Sequence, residues 1–187
     1  MSRIAAILIL LSFYSFYIAK IIIQKKQAIH TNQMGVGNKP VKVLRIERLT
    51  MVATILQCTA SIASALWAVP QANRGLQFAG IFVGIAAVVF FGAATITMKT
   101  SWRVGIPQEK TTLITDGIYR ISRNPAFVGF DLLYVSLCLL LPNLPLILSS
   151  LWAAGMLHLQ ILQEECHLTR VFGDAYKTYC KYTRRYI

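Results

Sequence analysis

The sequence predicts an all-α fold: a polytopic membrane bundle of about five transmembrane helices with a C-terminal helical tail on the cytosolic side, all one domain, 1–187. Of its 187 residues 56% are hydrophobic and only 14% charged, whereas soluble domains carry roughly a quarter charged residues. Apolar runs at 4–23, 49–69, 76–98, 126–141 and 144–162 reach or approach the ~20 residues that a ~30 Å hydrocarbon core demands of a helix. The basic residues gather in alternate connections, as an odd number of crossings requires.

The first run predicts a retained anchor. It is too long for a secretory signal, only Arg3 leads it, and no small-x-small cleavage site follows. After it comes 24–48, broken by Gly35-Val36-Gly37-Asn38-Lys39-Pro40, where Val41, Leu44 and Leu49 then alternate with basic residues. This stretch reads equally as an interfacial strip on anionic headgroups and as a solvated basic loop, and no chemistry is assigned to it. Lys20, Lys25, Lys26, Lys39, Lys42, Arg45 and Arg48 follow the first run; Lys99, Arg103, Lys110, Arg120 and Arg123 follow the third; Arg170, Lys177, Lys181, Arg184 and Arg185 follow the fifth. Only Arg3 and Arg74 fall on the other side. The bias predicts an N-terminus outside and a cytosolic C-terminus. It also accounts for the net charge of +12 without nucleic acid.

The fourth and fifth runs are joined by Leu141-Pro142-Asn143-Leu144-Pro145, a turn that permits only an antiparallel hairpin. Its arms, back to Pro125 and on to Glu164, are roughly 27 and 31 Å long at ~1.5 Å per residue. Arg123-Asn124-Pro125 and Glu164-Glu165 are therefore expected side by side at one membrane edge. Asn124 and Pro125 suit the N-cap and first position of the fourth helix. Beyond Glu165, Leu168, Val171, Phe172, Ala175, Tyr176 and Tyr179 mark one helical face. Gly173 reads as a stop and Asp174 as a fresh cap, which predicts two short tail helices folded under the bundle.

The long polar connection 99–124 is of a length uncommon in a small bundle unless it binds something or is disordered, and Trp102 in it suits the interfacial belt, packing or a pocket wall. Neither disulfides nor metal is expected. The four cysteines lack C-x-x-C spacing, and Glu164 with His167 has no second such pair to complete a metal site. Asp131 inside the fourth run is either functional or reaches headgroups. His158 reads as a bundle histidine. At the shared edge the amide-rich start of the fourth helix, Arg120, Arg123, Tyr119, Phe127 and the two glutamates bring both charge signs together. A ligand with a carboxylate, an ammonium and a sulfonium, such as S-adenosylmethionine, finds complementary groups there, as do other zwitterions.

The run Gly117-Ile118-Tyr119-Arg120-Ile121-Ser122-Arg123-Asn124-Pro125-Ala126-Phe127-Val128-Gly129, then Glu164-Glu165, then Phe172-Gly173-Asp174-Ala175-Tyr176 and Tyr179, resembles the isoprenylcysteine carboxyl methyltransferase family and its phospholipid methyltransferase relatives. The resemblance implies an integral membrane methyltransferase with a cytosolic S-adenosylmethionine pocket built from 99–187, and a tunnel between helices for a lipophilic or lipidated substrate among membrane lipids. It implies cofactor contacts from Tyr119, Arg120, Arg123, Asn124, Pro125 and Phe127, with Glu164 or Glu165 on the methionine ammonium, and close helix approach at Gly129. The family often has histidine where this chain has Asn124 and tyrosine where it has Phe127. A carboxylate acceptor needs no base; an amine, thiol or phenol would look to Glu165, His158 or His167. Arg170 or Arg123 would pair with an anionic acceptor, so Glu165, Arg170 and Arg123 are the catalytic candidates. The C-terminal pattern also resembles the NADPH-binding sterol reductases, which are about twice as long and favour an aspartate-glutamate pair. A relative that binds without catalysis is the third reading.

Overall fold

The computed structural model describes residues 1–67, 72–107, 109 and 111–187. Val69, the expected end of the second run, and Lys110 lie outside the described residues. The chain folds as α1 (Ser2–Lys26), α2 (Val41–Leu66), α3 (Arg74–Thr97), α4 (Pro125–Leu140), α5 (Leu144–Phe172) and α6 (Asp174–Tyr182). Between α3 and α4, Lys99–Ser101 and Gly117–Arg120 form short 3-10 turns.

Helices α1, α2, α3 and α5 are long and apolar enough to cross a membrane. The fourth expected span is a shorter apolar helix of 16 residues, about 24 Å, and it runs inside the bundle with Leu133, Leu137 and Leu140 fully buried. Around it the long helices turn large apolar side chains outward, Phe82 being 77% exposed. In water such a surface would aggregate; in lipid it is solvated. The molecule is thus a polytopic helical bundle.

Local chemistry sets the helix starts. The Asn73 side chain accepts from Leu76 N at 2.9 Å to cap α3, and Asn143 accepts from Leu146 N at 3.1 Å to cap α5, with proline in its first turn. Asn143 also donates to Ser64 Oγ (3.0 Å), and Thr50 Oγ1 donates to the Met156 carbonyl (3.3 Å), which fixes α2 antiparallel to α5. The most extensive packing is α3 on α4, and glycines make it possible. A Cβ on Gly129 would lie 2.9 Å from Phe91 Cβ and 3.0 Å from its backbone nitrogen. Phe91 then stacks on Phe13 of α1 (4.3 Å) and meets Phe130 (5.3 Å) and Trp102 (6.3 Å) edge-on. This aromatic core ties α1, α3, α4 and the long connection together.

Three expectations need correction. Of the two readings of the stretch after Pro40, the loop is overturned from Val41 on, where α2 begins; Glu47 in its second turn is buried and ion-paired with Lys39 at 2.8 Å. The first of the two short tail helices is the end of α5, which has 29 residues. At about 44 Å it outruns a ~30 Å core, so the part beyond Leu162 projects past the apolar layer. The break does fall at Gly173, whose φ of +54° suits glycine. Asp174, however, is the first residue of α6 and bonds Lys177 (2.9 Å) instead of capping. Asn124 sits at the N-cap of α4 with Pro125 following, yet its side chain caps nothing; it is spent on Glu165 and the tail, as described next.

Candidate functional site

The hairpin brings its two ends together as the sequence spacing requires. Arg123 donates to Glu165 Oε1 from Nη2 (2.9 Å) and Nε (3.1 Å), and Asn124 Nδ2 donates to the same oxygen (3.1 Å). The other carboxylate oxygen takes Arg185 Nη2 (2.8 Å) and Nε (2.9 Å). Burial pushes the Glu165 carboxyl up, but the Arg185 and Arg123 guanidiniums outweigh it and hold the group below the usual carboxylate range.

Residues 183–186 act as a strap across this hub. Arg123 N donates to the Arg184 carbonyl (2.9 Å), Arg123 Nη1 to the Thr183 carbonyl (2.9 Å) and Asn124 Nδ2 to the Arg185 carbonyl (3.2 Å). The Tyr179 hydroxyl donates to the Tyr119 carbonyl, and Tyr186 OH pairs with His158 Nδ1 on α5. The tail thereby folds back under the bundle as its apolar spacing predicts, with Tyr176 buried.

Beside the hub is a cavity of about 120 Å³ whose walls include Trp102, Tyr119, Arg123, Asn124, Phe127 and Glu164. A second cavity, about 390 Å³, runs between α1, α2, α4 and α5 past Tyr14, Met51, Ile55, Phe130 and Leu157. Trp102, Phe127 and Glu164 belong to both. The first space, called the polar cavity for the Arg103, Arg123, Asn124, Glu164 and His167 side chains among its walls, faces the loops; the adjoining one is more apolar and enters the bundle, and Glu164 lines both.

Glu164 differs sharply from its neighbour. Its carboxylate accepts one bond, from Gln160 Nε2 at 3.0 Å, and makes no ion pair among the described residues. Burial pushes it up to about 7, the nearby Glu47 carboxylate adds to this, and the Gln160 bond and the Lys39 charge oppose it. The residue is partly accessible because it lines both cavities, while protein surrounds its acid group.

The loop walls are held from an unexpected quarter. Fully buried Glu47 accepts from Gly35 N (2.8 Å), Ile106 N (2.9 Å) and Lys39 Nζ (2.8 Å). Gln33 N donates to the Val104 carbonyl, Val104 N to the Thr31 carbonyl, and Gln24 Nε2 to the Trp102 carbonyl, each at 2.9 Å. The α1–α2 connection is thus stitched to the 102–106 wall of both cavities. Nothing in the sequence marked Lys39, Glu47 or Gln160 for this, and Arg185 was legible only as a topology charge.

Tyr119, Arg123, Asn124, Phe127 and Glu164 therefore line the polar cavity, Pro125 starts α4 behind them, and Glu165 organises them from the hub. Arg120 does not join: it is exposed and pairs with Asp116 (3.2 Å). Arg170 is also exposed, near Cys166 (3.2 Å), and lines a different cleft. His167 lines the polar cavity. Asp131 keeps a buried Oδ1 without a hydrogen-bond partner.

Fold and site define a class, a helical membrane protein with a charged pocket opening onto an apolar channel. A family model described as phospholipid methyltransferase matches residues 59–175, and the chain belongs to that family. It is also 39% identical over 70 residues to the protein-S-isoprenylcysteine O-methyltransferase of Schizosaccharomyces pombe. That match covers 37% of this chain and 30% of the relative's length. The family match takes in the long connection, the hairpin and both glutamates, and leaves Lys39, Glu47 and Arg185 outside.

Proposed function

We propose that the chain transfers a methyl group from S-adenosylmethionine to a lipophilic acceptor, at a site on the cytosolic side. The observation that carries this reading is Glu164, whose acid group is enclosed by protein and makes no ion pair among the described residues, on the wall common to the two cavities. A zwitterionic sulfonium ligand asks for an anion, for donors to its carboxylate and for flat walls around its base. Glu164 offers the first, the start of α4 with Arg123 the second, and Trp102, Tyr119 and Phe127 the third. When bound, S-adenosylmethionine supplies an electrophilic methyl group whose departure leaves a neutral thioether.

The chain's own residues then work by positioning. Glu164 binds the ammonium. Glu165 is saturated by Arg123, Asn124 and Arg185, so it orients Arg123 instead of accepting a proton. Trp102 and Phe127 exclude water between the two spaces, and the apolar cavity aligns the acceptor. His167 remains for an acceptor that must lose a proton: burial, with the Arg170 and Lys39 charges, lowers its pKa and keeps the ring neutral near pH 7. The family's description names phospholipids and the relative's name isoprenylcysteine, and both are lipophilic acceptors. The cytosolic placement rests on the basic residues gathered at the cavity end.

Titration of the purified protein with S-adenosylmethionine, and competition by S-adenosylhomocysteine, tests the reading directly. Saturable binding that competes is expected. No binding of either at millimolar concentration would overturn it.

A further inference from the structure

A third cavity adjoins the site on its outer side. Where the first turns of α2 meet the end of α5, a cleft of about 690 Å³ opens over Ile106 and Pro107. Its two helical walls repeat one pattern. On α2, Lys42 stands at the mouth and Val43 and Ile46 lie deeper; on α5, Leu159 and Leu162 lie deep and Arg170 stands at the mouth. Because the helices are antiparallel, both walls pass from apolar to cationic in the same direction. Leu159 and Arg170 are separated by roughly 16 Å along the α5 axis, the distance from hydrocarbon to headgroup level. Leu159 and Leu162 are 41% and 38% exposed, so the deep end opens to the lipid.

The charge at the mouth is unbalanced. No carboxylate is among the described lining residues. Lys39, which also lines the cleft, is spent on Glu47. Lys42 and Arg170 form no ion pair among the described residues, Arg170 touching only the Cys166 sulfur. Helix α2 also starts, after Pro40 at its N-cap, with no side-chain cap and no acid in its first turn, which leaves its positive end uncompensated. Asn38, Gln163 and His167 add neutral polar groups.

We propose that this cleft binds an anionic membrane lipid, its phosphate between Lys42 and Arg170 and its acyl chains against Val43, Ile46, Leu159 and Leu162. Charge complementarity selects the anionic headgroup, and the apolar depth selects a lipid over a free anion. Ile106, Pro107 and His167 line both this cleft and the polar cavity, so the lipid would brace a wall of the site from outside. The proposal does not depend on the methyl-transfer reading.

Cys166 is exposed and lines the cleft, which makes it a built-in reporter. The full chain is placed in nanodiscs of phosphatidylcholine alone or with increasing phosphatidylglycerol, and N-ethylmaleimide labelling of Cys166 is followed by mass spectrometry against Cys180. Phosphatidylglycerol is expected to slow Cys166 severalfold relative to Cys180. Lys42→Gln and Arg170→Gln should each raise the phosphatidylglycerol fraction needed about fivefold, and together abolish the effect. Inorganic phosphate in phosphatidylcholine discs should change nothing. Equal labelling in the two wild-type lipid mixtures, protection that survives the double substitution, or protection by inorganic phosphate alone would each overturn the proposal. The wild-type comparison stands whatever the variants do.

Discussion

Glu164 and Glu165 are adjacent in sequence but carry opposite energetic roles, and replacing each by glutamine separates them. In Glu165→Gln the Arg123 guanidinium, 11% exposed in its side chain, loses its counter-ion, and the amide offers one acceptor oxygen where the carboxylate offered two, to Arg123 and to Arg185. Stranding a buried charge in this way costs about 3–5 kcal/mol. Arg185, 38% exposed, adds no more than about 1 kcal/mol. Thermal unfolding in a fixed detergent should show this loss, with earlier release of the strap reported by faster labelling of Cys180. In Glu164→Gln the amide removes an unpaired buried charge and keeps the Gln160 contact, so stability at pH 8 should hold or rise. Affinity for S-adenosylmethionine should fall roughly ten- to hundredfold, the worth of one hydrogen bond to a charged group. If Glu164→Gln unfolds as readily as Glu165→Gln while its ligand affinity is unchanged, the division of roles is wrong.

The same carboxylate predicts a pH dependence. With Glu164 raised to about 7 in the fold, its contribution to stability is greatest below the usual carboxylate range and declines as pH rises through 7. The ligand-free protein should lose stability as pH rises from the usual carboxylate range to about 7, while S-adenosylmethionine binding tightens from pH 6 to 8, and Glu164→Gln should remove both trends apart from that of His167. Glu47→Leu strands Lys39, whose side chain is 4% exposed, and should cost about 3–5 kcal/mol by thermal unfolding; adding Lys39→Met should recover much of that. Gly129→Val places methyl groups where the Phe91 backbone already lies within 3.0 Å and should cost about 1–3 kcal/mol or more on the same assay.

What could be read from the chain, and what could not, follows from range. The turn at Asn143 was legible because proline and asparagine act on their own neighbours, and two helical arms of known rise then place Arg123 beside Glu165. The full length of α5 was hidden for the opposite reason: hydropathy marks where lipid ends near Leu162, and the helix continues to Phe172 on tail packing. Glu47 sits among lysines and arginines and reads as solvated. Its burial comes from partners near Gly35 and Ile106, on two separate connections that no local pattern joins. Trp102 announced itself by type alone, a large aromatic in a long polar connection. The two glutamates were found as a pair, but their division of labour depends on Arg185, a residue the spacing argument used only as a count of charge.

That division has a geometric cause. Consecutive residues on a helix point about 100° apart, and here that offset turns Glu164 toward the cavity and Glu165 toward Arg123 and Arg185. The strap supplies the second of these. With Arg185 in place Glu165 is held between two guanidiniums, and the hub carries a net positive charge at the start of α4, itself a positive helix end. One residue earlier, Glu164 makes no ion pair among the described residues, and its carboxyl, raised to about 7, carries its charge above that pH. The pocket is therefore electrically two-sided above pH 7, where Glu164 is ionised at the apolar junction and the cations stand at the loop face. Under the proposed function, a donor with an ammonium and a carboxylate would be oriented by that asymmetry. Reversing the polarity at one pole, with Glu164→Lys, should abolish binding even though the overall fold and the Glu165 hub remain, whereas the same charge change at exposed Asp174 should leave binding untouched.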